Sequence, residues 1–116
     1  MTTPMRGEVW LIRFDPAEGD EIKKVRTAVV ISENMIGRLR LKVVVPITGW
    51  KSAYASHSWF VRLTPAPANG LTKDSGADAF QVKSVSVTRF VNRLGELTQS
   101  ELDDIANAIA TCVGAP

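Results

Sequence analysis

The stretch Lys23–Thr48, KKVRTAVVISENMIGRLRLKVVVPIT, decides how this chain folds. Two apolar β-branched runs, Ala28-Val29-Val30-Ile31 and Val43-Val44-Val45, lie inside it. Val and Ile are stiff at χ1 and pack well on a pleated surface, so both runs are expected as buried strands. Polar residues stand at their mouths: Arg26 enters the first run, and Thr48 leaves the second just after Pro46. Side chains at the ends of buried strands are held rigidly at the surface, where chemistry can be done. Arg26 and Thr48 are therefore the first candidates for a functional site.

Upstream, residues 7–14 (GEVWLIRF) alternate, with Val9, Leu11 and Ile12 expected inward and Glu8 and Arg13 outward. The segment DPAEGDEIKKV, Asp15 to Val25, is punctuated by Asp-Pro and Glu-Gly-Asp and is long for a simple hairpin. Long loops beside a rigid scaffold commonly carry function. Downstream of residues 27–32, a third strand is expected from Arg40 to Ile47. Gly49 to Ser58 then reads as a second polar loop, holding Trp50, Lys51 and His57, and Trp59–Leu63 as a fourth strand. Thr64 to Gly76, rich in Pro, Ala, Asn and Gly, is expected to be irregular, with short strands at Ala77–Gln81 and Val85–Arg89. Trp10 and Trp59 are expected in the core.

Near the end, Thr98-Gln99-Ser100-Glu101 is a capping box. Leu102, Ile105, Ile109 and Val113 follow at spacings of three and four, with Ala106 on the same face, and Gly114 stops the helix. That apolar stripe suits core or dimer packing and implies no cofactor. The layout is short antiparallel strands followed by one amphipathic helix.

The 116 residues are expected to form a single domain, 1–116, large enough to bury roughly two-thirds of its unfolded surface without a metal or disulfide staple. One cysteine, Cys112, and one histidine, His57, exclude a Cys/His zinc site within a single chain. No Gly-rich phosphate loop, nucleophile elbow or paired catalytic carboxylates occur, and no cofactor is expected. No apolar run approaches the roughly 18 residues of a membrane helix, and no leader core precedes the first strand, so a cytoplasmic protein is expected. A net charge of +2 and a pI near 8.9 permit an anionic partner without demanding one.

Several short motifs then fall in register: Arg6-Gly7-Glu8-Val9-Trp10, Phe14-Asp15-Pro16, Gly19-Asp20-Glu21, Lys24-Val25-Arg26-Thr27-Ala28-Val29-Val30, Val45-Pro46-Ile47-Thr48 and Gln81-Val82-Lys83-Ser84. In this order and spacing the chain resembles the MazF/PemK toxin family, also called mRNA interferases, from about Arg6 to Gly114. The resemblance implies an SH3-like antiparallel β-barrel with a C-terminal helix, working as a homodimer. It also implies a ribosome-independent endoribonuclease that cuts single-stranded RNA at a short sequence and is blocked by a cognate antitoxin. By position, Arg26 and Thr48 match the family's catalytic pair, Glu21 an acidic RNA-contacting position, and Gln81 a site-lining glutamine. Two departures stand out. Thr27 replaces a usual Pro, and Phe80 replaces an Asp that many members carry directly before the glutamine. Asp78, two residues earlier, is a candidate substitute.

The residues fit that chemistry on their own terms. Metal-free RNA cleavage uses the 2′-hydroxyl as nucleophile and leaves a 2′,3′-cyclic phosphate and a 5′-hydroxyl. A guanidinium matches phosphate geometry and stays charged, which suits Arg26 to stabilise the non-bridging oxygens. Thr48 can donate one further hydrogen bond. Neither is a good general base; Glu21 is one candidate, and substrate alignment without a base is another. Lys23, Lys24, Arg26 and Lys51 make a positive strip for phosphates. Trp50 either stacks an unpaired base or covers the apolar underside of its loop. His57 has no second histidine to pair with and is expected as an exposed loop residue. Two other functions share the fold: a CcdB-like toxin that binds DNA gyrase, and a degenerate homologue that binds only antitoxin.

Overall fold

The computed structural model describes residues 3–14, 25–36 and 40–116; Glu21, Lys23, Lys24 and Gly37 lie outside them. The two β-branched runs form neighbouring antiparallel strands, β2 (Val25–Val30) and β3 (Leu41–Gly49), with Val30 opposite Val44 and Thr27 opposite Ile47. On its far side β2 pairs with β1 (Glu8–Arg13), with Ile12 opposite Arg26. β3 is the longest strand, and its free edge takes two partners in succession. Its first half pairs with β6 (Lys83–Ser86) and its last three residues with β5 (Ser75–Asp78). β4 (Phe60–Leu63) extends the sheet beyond β5, and β7 (Phe90–Glu96) extends it beyond β1. The order is β4-β5-β3-β2-β1-β7, with β6 on β3. Among the described residues no ladder joins β4 to β7, so the antiparallel, barrel-like sheet is not closed.

The central strands are buried on both faces, which explains their near-continuous apolar runs. Val9, Val29, Val45 and Ile47 face Leu63, Ala77 and the helix residues Leu102 and Ile105. The alternate residues Trp10, Ile12, Phe14, Ala28, Val30 and Val44 face Val85 and Phe90. The one-sided pattern expected for β1 is thus corrected. Trp10 and Ile12 are buried on the second face, whereas Leu11 is only half-buried.

Trp10 is 3% exposed, meets Phe90 edge-on at 5.5 Å, and donates its indole N–H to Glu8 Oε1 at 3.0 Å. Trp59, expected in the core, is instead half-buried just before β4, where its indole stacks on His57 at 4.6 Å. That same contact covers part of His57.

β7 has no counterpart in the sequence reading. Its register with β1 shifts twice, so its buried and exposed residues do not alternate regularly. Tertiary contacts hold it. Arg93 Nε donates to Glu8 Oε2 at 2.9 Å, and the Glu96 N–H donates to the Ala68 carbonyl at 2.9 Å. Gly95 permits the second contact, because a Cβ there would overlap the Ala68 carbonyl oxygen.

Three local expectations also shift. β5 begins at Ser75, inside the segment expected to be irregular, and yields after Asp78 to a 3₁₀ turn, Ala79–Gln81. The Asp78 carboxylate starts that turn by accepting the Phe80 N–H at 3.2 Å. The strand expected at Val85–Arg89 runs as β6 and a second 3₁₀ turn, Val87–Arg89. In helix α1 (Gln99–Cys112) the capping box forms: the Glu101 N–H donates to Thr98 Oγ1 and the Thr98 N–H to Glu101 Oε1. Leu102, Ile105 and Ala108 are buried, but Ile109 is half-buried and Val113 exposed, so the apolar stripe fades where Gly114, at φ +70°, ends the helix.

Glu8 joins these elements and gives acid stability a definite sign. Burial opposes its ionisation, but donors from the Met5 backbone, the Trp10 indole and Arg93, with the Arg93 charge, outweigh burial and hold its carboxyl below the ordinary 4.5. A depressed folded-state pKa contributes stability above the unfolded value that is lost as pH falls through the folded one. Unfolding midpoints in urea are therefore expected to drop as pH falls below about 4.5, and Glu8→Gln should flatten part of that drop. Identical acid limbs for wild type and Glu8→Gln would exclude this role.

Candidate active site

The antiparallel register of β2 and β3 creates the site. Thr27 opposes Ile47, so one further step sets Arg26 opposite Thr48, with both side chains on the same face of the sheet. On the other edge of β3, Thr48 pairs with Gly76 of β5. The space over Gly76 is filled by ring edges of Trp50 and Phe60, 3.0 and 3.1 Å from where a Cβ would sit. Tyr54, from the 3₁₀ turn Ser52–Ser56, stacks on Phe60 at 3.9 Å with the rings nearly parallel. Aromatic rings thus wall the Thr48 side.

A cleft of about 650 Å³ is lined by Arg26, Thr48, Tyr54, Phe60, Lys73, Asp78 and Gln81, among others. A smaller hollow of about 150 Å³, lined by Phe14, Arg26, Pro46, Gln81 and Lys83, shares Arg26, Pro46 and Gln81 with it. The two make one groove with Arg26 at the junction. Arg26 and Thr48 are both exposed, and among the described residues neither side chain is committed to an internal hydrogen bond or ion pair.

Asp78 stands on the same face as Thr48 and diagonal to it, since Phe60 opposes Asp78 while Gly76 opposes Thr48. Its Oδ2 accepts a hydrogen bond from Gln81 Nε2 at 2.9 Å, which ties the two polar groups of that wall together. Phe80 does not share the Asp78 face as strand geometry would require, because the chain has already entered the 3₁₀ turn. The ring is 70% exposed.

Two lysines that the sequence reading did not single out line the groove. The Lys73 ammonium lies 3.0 Å from where a Gly49 Cβ would sit, so Gly49 leaves it room. The loop carrying it is fixed: buried Ser75 donates its hydroxyl to the Lys73 carbonyl at 2.9 Å, and the Trp50 N–H donates to the Asp74 carbonyl at 3.0 Å. The Asp74 carboxylate is engaged by Arg62 at 2.8 Å. Lys83 holds its ammonium 4.8 Å above the Phe14 ring. Lys83 sits in a recognisable motif, but Lys73 falls in the irregular Pro/Ala/Gly segment, where no pattern marks it.

The structure therefore brings Arg26, Thr48 and Gln81 together. Trp50 and Lys51 line neither hollow. Trp50 is packed on Gly76 beneath the Arg62 guanidinium, 5.0 Å from its ring, and Lys51 is exposed at the start of the 3₁₀ turn. Glu21, Lys23 and Lys24 lie outside the described residues. Among the described residues no three His, Cys, Asp or Glu side chains converge on a metal-sized site, and no helix is long and apolar enough to cross a membrane.

Comparison with known proteins agrees with this architecture. The Mycobacterium tuberculosis endoribonuclease MazF9 is 32% identical over 110 residues, covering 90% of this chain and 91% of that protein. Probable endoribonuclease MazF5 of the same organism is 34% identical over 110 residues, covering 95% and 93%. Among solved structures, MazE-MazF (Form-II) from Deinococcus radiodurans superposes with a TM-score of 0.80 at 22% identity, covering all of both chains. A mycobacterial endoribonuclease in complex with its cognate antitoxin superposes at 0.75 and 23% identity, covering 97% of each. Residues 5–113 match the family described as PemK-like, MazF-like toxin of type II toxin-antitoxin system, and the chain belongs to that family.

Proposed function

We propose that this toxin is an endoribonuclease that cuts single-stranded RNA in the groove centred on Arg26 and Thr48. The observation that carries the reading is the cross-strand placement of a guanidinium and a hydroxyl, both uncommitted among the described residues and both opening on one groove. The RNA 2′-oxygen attacks the adjacent phosphorus while Arg26 and Thr48 donate to the non-bridging oxygens. Asp78, held by Gln81, takes the 2′-hydroxyl proton, and the departing 5′-oxygen is protonated from solvent. A 2′,3′-cyclic phosphate and a 5′-hydroxyl result. Asp78 thus fills the role left open by Phe80, and no metal enters any step.

Lys73 and Lys83 hold phosphates on either side of the scissile one, and Glu21, Lys23, Lys24 and Lys51 are further RNA contacts. The protein acts as a homodimer in the cytoplasm, where mRNA is available, and an acidic antitoxin segment inhibits it by occupying the same groove. Nothing in the site favours a gyrase-binding function.

The test is incubation of purified protein with a long RNA in EDTA, with cuts mapped by primer extension. Discrete cuts ending in cyclic phosphate are expected; intact RNA, or cleavage restored only by added Mg²⁺, would overturn the mechanism. The lysines are tested by salt. Each of Lys73→Gln and Lys83→Gln is expected to reduce the slope of log binding against log salt by about 0.7, as for loss of one phosphate contact on a single strand. Unchanged slopes would remove both from the RNA path.

A further inference from the structure

Phe80 presents an exposed aromatic ring that the fold does not use. Its ring is 70% exposed and belongs to neither core. The turn that carries it needs only its backbone, through the Phe80 N–H donated to Asp78. Its neighbours are aromatic. Trp59 lies 6.2 Å away, tilted by 52°, and has one face covered by His57 in a near-parallel stack. Trp59 in turn lies 6.3 Å from Phe60, and Phe60 with its stacked partner Tyr54 lines the cleft beside Thr48. An unbroken row of rings therefore leads from the cleft wall to the open ring of Phe80. Gln81, next in the chain, lines both hollows at Arg26.

We propose that Phe80, backed by Trp59, is a stacking subsite for one unpaired RNA base whose phosphate lies in the groove. The inference rests on the endoribonuclease reading and adds a determinant of which substrate is cut. Single strands are held by a cationic track for the backbone together with aromatic faces for the bases. The groove supplies Lys73, Arg26 and Lys83 for the first, and Phe80 supplies the second. An acidic protein segment would use the same cations, but the row of rings joining Phe80 to the cleft wall is an aromatic platform of the kind on which unpaired bases stack. The base is therefore the favoured occupant.

The experiment measures kcat and KM on an RNA with one cut site, for wild type and for Phe80→Ala, Phe80→Leu and Phe80→Trp, each first shown to be folded by circular dichroism. Substrates with a single abasic nucleotide at each position near the cut are run in parallel. Loss of one stacked base is expected to lower kcat/KM roughly 5- to 150-fold in Phe80→Ala, chiefly through KM. Phe80→Leu should lose as much, because it keeps apolar area without a π-face, and Phe80→Trp should retain activity. At one position, the abasic change should cost wild type the same factor and cost Phe80→Ala nothing further. The proposal is overturned if Phe80→Leu equals wild type, if the two losses multiply at every position, or if Phe80→Ala leaves RNA kinetics intact and weakens only antitoxin binding. Wild type that cuts none of the substrates overturns the endoribonuclease reading itself, a separate result.

Discussion

Arg26→Ala is expected to slow RNA cleavage by at least two to three orders of magnitude while leaving the fold intact, about 3–4 kcal/mol of transition-state stabilisation. Arg26 is exposed at the mouth of β2, so the core does not depend on it. In the proposed mechanism its charge faces the position where negative charge develops on the phosphoryl oxygens. Arg26→Lys should restore only part of the rate, since an ammonium lacks the planar fork that grips two oxygens at once. Thr48→Ala should slow cleavage less, because a neutral donor is weaker than a charged one. Single-turnover cleavage of a defined RNA measures all three. A folded Arg26→Ala protein that cuts at the wild-type rate would remove the guanidinium from the chemistry, and an unimpaired Thr48→Ala protein would leave the site half assigned.

Trp10→Ala is expected to carry the largest cost in stability, about 3–5 kcal/mol, from lost burial and the cavity left behind. Against a total of about 5–15 kcal/mol for a domain of this kind, that is a large share. The indole is the centre of the second core: it meets Phe90 on β7 edge-on and donates to Glu8, which itself holds Arg93. Removing it loosens both the packing and the hydrogen bonding that fix β7 to β1. Urea unfolding gives the value, and Trp10→Phe should fall between wild type and alanine, keeping an aromatic ring but losing the N–H donor. A cost below about 1 kcal/mol for Trp10→Ala would mean that the second core contributes little.

The parts of this protein legible in the sequence are those whose cause is local. β2 and β3 follow from β-branched runs, and the helix start follows from four residues that satisfy one another's backbone groups. Arg26 and Thr48 stand out as candidates because each ends such a run. What the sequence by itself could not decide was partnership. β7 carries no regular alternation, because its place is set by Glu8, by the twice-shifted register with β1 and by the close approach of Ala68 to Gly95. The burial of both faces of β1 depends on β6 and β7 arriving behind it.

The same division holds in the groove. A strand pattern puts Asp78 and Phe80 on one face; the 3₁₀ turn after Asp78 separates them, leaving the carboxylate with Gln81 and the ring in solvent. Lys73 reaches the cleft only because Gly49, 24 positions earlier in the numbering, has no side chain to occupy that space. Propensity and capping act over a few residues and can be read from the chain alone. Register, face and the meeting of distant side chains are decided by packing, and only the tertiary structure carries them.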